Sequence, residues 1–174
     1  MSIAESGTAA PSHHYWLRLG LIVVAGLELM DGLTSLTNMS TALHPAGGLP
    51  PYAETLLAAK LWLAPLASAL ALLFATVGRL RPAVLALAAF AFMGWALADV
   101  WLVVIHGFGY RPDYYYGRVD AFTHQVLFPL GALIGAGLAL KSRHLAWAGL
   151  AASLPPLFNW LGVILFAISV VLHN

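Results

Sequence analysis

Six polar side chains interrupt long apolar runs and could do chemistry there: Glu28, Asp31, Lys60, Asp99, His124 and Asn159. A charge at the centre of a membrane helix costs roughly 2.5–3.5 kcal/mol on insertion scales, so such groups are expected to face one another, a water-filled cavity or a bound ion. Carboxylates gathered in this way would attract a cation. With Asp31 and Asp99 ionised and Lys60 charged, the layer is anionic. It must then bind a cation, charge His124 or keep one carboxyl protonated. A carboxyl that releases its proton beside Lys60 could couple ligand binding to proton movement.

A second set, Asp99, His106, Asp120 and His124, has metal-ligand types. Hard cations prefer carboxylate and carbonyl oxygen, whereas zinc, copper and iron also accept imidazole. A divalent metal is therefore the cofactor that this set would take, although no His-x-x-x-His or Glu-x-x-His pattern supports it. Haem between His106 and His124 is disfavoured, because helical rise separates them by about 12 Å along the axis. His124 and Glu28 could alternatively act as acid and base. No nucleophile motif or phosphate-binding glycine loop occurs, and Gly107-Phe108-Gly109 reads as a turn.

The elements that must position these groups can be read from composition. Of 174 residues, 61% are hydrophobic and 9% charged, against roughly 25% charged in an average soluble domain. The mean hydropathy is +0.85. Too little charge is available to cover a soluble surface. The net charge of +1 gives no reason to expect nucleic acid. The absence of cysteine removes disulfides, thiolate metal sites and thiol nucleophiles. The polar stretch Met1–His14 lacks a basic region ahead of a short apolar run, so the first apolar segment is expected to be retained rather than cleaved.

Five segments are long enough to cross a bilayer, which takes about 20 residues each. They run from Trp16 to Met39, Glu54 to Val77, Pro82 to His106, Ala121 to Leu140 and Leu145 to Leu172. The fold class is thus all-α: an integral membrane bundle of about five transmembrane helices. It divides into a polar tail, 1–14, and one transmembrane domain, 15–174. The fifth segment contains Pro155-Pro156, which predicts a kink or break.

Short basic loops mark the cytoplasmic side. Arg79 and Arg81 come after the second segment, Lys141 and Arg143 after the fourth, and Arg18 lies just inside the first. This places the N-terminus in the cytoplasm and the C-terminus outside, in a plasma membrane of bacterial inner-membrane type. Arg111 and Arg118 in the loop from His106 to Asp120 run against that rule. Tyr110, Tyr114, Tyr115 and Tyr116 in the same loop read as an interfacial aromatic belt or as a lid over a site.

By helical rise, Asp31 lies about 22 Å above Trp16, and, measured from the basic markers, Asp99 lies about 27 Å up, His124 about 25 Å, Lys60 about 28 Å and Asn159 about 24 Å. Every segment thus places one strongly polar residue near a single level in the outer half of the membrane. Glu28, Asp31, Ser35 and Asn38 share one helical face, a candidate crevice wall open to the outside. Interhelical polar fastening explains Ser35 and Asn38 equally well. Gly131 and Gly135 form a small-xxx-small pair that admits another helix, and His124 shares their face. Asp99 with His106 on the third helix, and Asp120 with His124 on the fourth, could converge if those helices are neighbours.

Three functional readings are open to such a chain. The first is an outward-accessible intramembrane site that binds or transports a cation, a proton-coupled solute or a small amphiphile. The second is a non-catalytic subunit of a larger membrane complex, with a membrane-protein partner or a second copy of itself. The third is a membrane-embedded, metal-dependent enzyme acting on a lipid or other hydrophobic substrate.

Overall fold

The computed structural model describes residues 13–39, 51–109, 121–141 and 144–173. Among these residues every regular element is helical. Five helices are long and apolar enough to cross a membrane. We label them α1 (His13–Thr37), α2 (Pro51–Thr76), α3 (Leu80–His106), α4 (Thr123–Leu140) and α5 (Leu145–His173). The five segments expected from hydropathy are these five helices, with ends displaced by a few residues. The loop carrying the tyrosines, together with Asp120, lies outside the described residues.

Local chemistry explains several of the ends. Pro51 opens α2, where a missing N–H is harmless. Gly78, at φ +77°, closes it. The amide of Arg79 donates to the carbonyl of Phe74 at 2.8 Å, and that of Gly78 to Ala75 at 3.1 Å. This pair of bonds is the Schellman pattern, which satisfies carbonyls that the helix end would otherwise orphan. Arginines satisfy others. Arg18 of α1 donates from Nε to the Ala75 carbonyl at 3.0 Å and from Nη2 to that of Thr76. Arg81 of α3 donates from Nη2 to the Leu140 carbonyl at 2.9 Å, at the end of α4. Arg18, Arg79, Arg81 and Lys141 therefore share one end of the bundle. The positive charge also suits the negative ends of α2 and α4.

Consecutive helices pack against each other, α5 returns to α1, and α3 touches all four others. The interior is built from small residues, including Ala71, Ala75, Ala83, Ala88, Ala91, Ala132, Ala148 and Ala152, around Val84, Leu87 and Phe128. Large side chains such as Leu66, Leu70, Leu133, Ile134, Leu161 and Ile168 point outward. Small inside and large apolar outside is the arrangement of helices associating in lipid, where tails solvate leucine as well as another helix does.

Two features differ from what the sequence predicts. Where a kink or break is expected, α5 stays helical through Pro155 and Pro156, without a break. Pro155 has no N–H to offer the Ala151 carbonyl, and the turns on either side carry the helix past that gap. Second, α3 and α4 each contain one π turn, Trp95–Asp99 and Thr123–Leu127. The two π turns lie against each other. Each widens its helix locally and shifts the register of the residues C-terminal to it, a device common at functional sites.

A candidate polar site enclosed by five helices

The π turns carry Asp99 and His124. Asp99 is the last residue of its turn and is 1% exposed. His124 Nδ1 lies 3.8 Å from Asp99 Oδ2, an ion-pair separation longer than a hydrogen bond. The ring of His124 stacks on Phe128 one turn later, with centroids 4.6 Å apart and planes at 12°. Its Nε2 faces Asn159 Oδ1 of α5 at 3.3 Å. One imidazole thus joins α3, α4 and α5.

On the other side of the bundle, Glu28 of α1 is 4% exposed, and its Oε1 accepts a hydrogen bond from Trp160 Nε1 of α5 at 3.0 Å. Gly32, one turn later, lies close against Pro65 of α2; an added Cβ would stand 3.2 Å from both the Cβ and the backbone nitrogen of that proline. The contact draws α1 and α2 together where Asp31 and Lys60 lie. Lys60 lines the same pocket as Glu28 and Asp31.

Between these two groups is a pocket of about 100 Å³. All five helices line it: Glu28, Asp31 and Ser35 from α1, Lys60 from α2, Phe90 and Gly94 from α3, His124 and Phe128 from α4, and Asn159 from α5. Both carboxyls line this pocket, Asp31 as an exposed residue and Glu28 as a buried one. Drug-sized ligands occupy roughly 300–1,000 Å³. A small ion with a water or two fits this volume, and a chain-bearing amphiphile does not.

Of the residues singled out in sequence, Glu28, Asp31, Lys60, His124 and Asn159 line this one pocket, and Asp99 backs it through His124. Of the proposed metal set, Asp120 lies outside the described residues, His106 is exposed at the end of α3, and Asp99 and His124 meet. Among the described residues no group of three or more His, Asp or Glu side chains is placed to hold a metal ion. The polar stripe of α1 also divides. Ser35 lines the pocket, whereas Asn38 donates to the Thr34 carbonyl of its own helix at 3.1 Å.

Sequence reasoning missed Trp160, the Gly32–Pro65 contact, the two phenylalanines and both π turns. Trp160 could have been suspected from its place beside Asn159, since an indole N–H inside a membrane needs a partner. The π turns leave no comparable trace in residue type. Comparison with known proteins gives no match to a family model, to the sequence of a curated protein or to a solved structure.

Proposed function

We propose that this chain is a multi-pass membrane protein that admits a small cation from the outer surface to its intramembrane pocket, binds it there and transports it. The observation that supports this reading is the convergence of ionisable side chains from α1, α2 and α4 on a single cavity of about 100 Å³. Two carboxyls, Glu28 and Asp31, face one fixed cation, Lys60, across that space. With both carboxyls ionised and His124 neutral the pocket bears one net negative charge, and a cation would balance it. Asp31, the more exposed of the two carboxyls, receives the ion. Glu28, held by Trp160, and Ser35 offer further oxygen, and the stack on Phe128 and the contact with Asn159 orient His124, with Asp99 3.8 Å from its Nδ1. The positive-inside rule applied to Arg18, Arg79, Arg81 and Lys141 turns the basic end toward the cytoplasm and the pocket toward the outer leaflet.

Trp160 supplies the assay, because its indole touches Glu28. Titration of the purified protein with sodium, potassium or ammonium chloride is expected to change tryptophan emission with saturation, and Trp160→Phe to remove the change. A charge-assisted contact contributes about 1.5–3 kcal/mol, so Asp31→Asn is expected to weaken the apparent affinity by about tenfold or more. The same variant should slow cation uptake into proteoliposomes. Unchanged affinity and uptake in Asp31→Asn would reject the reading.

One set of observations favours a second reading. Glu28 and His124 are each bonded to α5, and such bonds also serve as plain fastenings between helices in a subunit of a larger complex. Under that reading no salt alters Trp160 emission, and Glu28→Gln lowers thermal stability without any effect on uptake.

A further inference from the structure

A second cavity lies at the opposite, basic end of the bundle. It is a groove of about 440 Å³ between α1 and α5. Trp16, Leu17 and Gly20 form one wall, and Trp147, Gly149 and Leu150 the other. Leu17 reaches across to Gly149, where an added Cβ would stand 2.4 Å from its Cδ1. The two helices otherwise part here and join again at Glu28 and Trp160.

Three observations identify the occupant. The first is length. The walls extend from Trp16 to Val24 on α1 and from Ala146 to Leu157 on α5, or about 12 Å and about 16 Å at helical rise. One leaflet of a hydrocarbon core about 30 Å thick has the same depth. The second is the mouth. Trp16 and Trp147 are both exposed beside it, as tryptophans are where headgroups meet acyl chains. The third is charge. Arg18, Arg79, Arg81 and Lys141 share this end, and every acidic residue described, Glu28, Asp31, Glu54 and Asp99, lies away from it. Basic mouths between transmembrane helices recruit anionic headgroups.

We infer that the α1–α5 groove is a binding site for one acyl chain of an anionic phospholipid, with the headgroup held at the basic end of the bundle. Gly20 keeps the groove open: a Cβ added there meets no atom within 4 Å, although the residue lines the cavity.

The test uses the full chain in mixed micelles with phospholipids brominated on the acyl chain, which quench nearby tryptophan. Brominated phosphatidylglycerol is expected to quench Trp16 and Trp147 at lower concentration than brominated phosphatidylcholine. Gly20→Leu, which fills the groove, should abolish the high-affinity component. Gly26→Leu should retain it, because a Cβ at Gly26 also meets no atom within 4 Å and the residue lies outside the groove. Replacing Lys141 or Arg79 by Gln should weaken the phosphatidylglycerol preference by about fivefold per charge. Equal quenching by the two lipids, or quenching unaffected by Gly20→Leu, would overturn the proposal and leave ordinary bilayer contact. A dimer whose formation removes lipid quenching and is blocked by Gly20→Leu would also overturn it, by assigning the groove to a second copy.

Discussion

The seam between α4 and α5 and the groove between α1 and α5 are both lined by glycine, yet the missing side chain does opposite things in them. At the seam the space is already filled. An added Cβ at Gly131 would stand 2.6 Å from the Ala151 carbonyl oxygen and 2.6 Å from Pro155 Cγ, and one at Gly135 would stand 3.0 Å from Ala152 Cβ. The carbonyl against Gly131 is the one that Pro155 leaves without its helical N–H partner. Backbone approaches backbone there, as small-xxx-small pairs permit. At the groove, a Cβ on Gly20 meets nothing within 4 Å. Gly131 and Gly135 therefore fasten the bundle, and Gly20 leaves room for something that is not protein.

Substitutions at glycine break this comparison most directly. Gly131→Leu is expected to have the largest effect. Its contacts are a backbone oxygen and a proline ring, neither of which can swing aside. Overpacking costs about 1–3 kcal/mol where neighbours can adjust, and here more, so little folded protein should survive purification. Well-folded Gly131→Leu would show that α4 and α5 are not held at this distance. Gly135→Ala adds one methyl against Ala152 and should fall within the range of about 1–3 kcal/mol, read as a lower midpoint in thermal unfolding monitored by circular dichroism in detergent.

Gly32→Ala comes next and tests the pocket together with the fold. The added methyl meets Pro65 atoms at 3.2–3.3 Å, so α1 and α2 must separate by a few tenths of an ångström. A stability loss of about 1 kcal/mol is expected. The larger consequence is functional, because Asp31 and Lys60 lie on either side of that contact. Apparent cation affinity read from Trp160 should fall severalfold while the protein remains folded. A loss of stability with unchanged affinity would separate the contact from the pocket.

The legibility of the sequence obeys the same division. Five helices could be read because apolar length is a one-dimensional property, and the basic loops because arginine type is enough. The convergence of Glu28, Asp31, Lys60, His124 and Asn159 could be foreseen from depth alone, since helical rise is constant and each residue is costly in lipid. The Gly131–Gly135 pair was readable from its spacing. Gly20 and Gly32 were not, because each stands alone and only the partner helix decides whether the space beside it is empty or occupied by a proline. The π turns were hidden for a related reason. Inserting one residue into a turn costs little when neighbouring helices absorb it, and neither Trp95–Asp99 nor Thr123–Leu127 contains a glycine or proline to mark it. Register across a π turn cannot be projected from an ideal helix, so the residues before Trp95 and after Asp99 do not keep the faces that plain helical spacing assigns them.

The smallest effect is the sharpest test of the contrast, since it separates glycine that is needed from glycine that is only present. Gly26 and Gly20 both have open space beside them. Alanine at either position adds no clash and removes glycine's disadvantage within a helix, which amounts to about 0.5–1 kcal/mol. Both variants should therefore unfold at the wild-type temperature or slightly above it. They should differ only with lipid present. Added phosphatidylglycerol stabilises whatever conformer binds it, by an amount set by affinity and concentration. A methyl at Gly20 narrows the groove and should reduce that stabilisation, whereas a methyl at Gly26 should leave it intact. Equal lipid-dependent shifts in the two variants would mean that Gly20 borders no more than bulk lipid, and the difference between seam and groove would reduce to one of packing density.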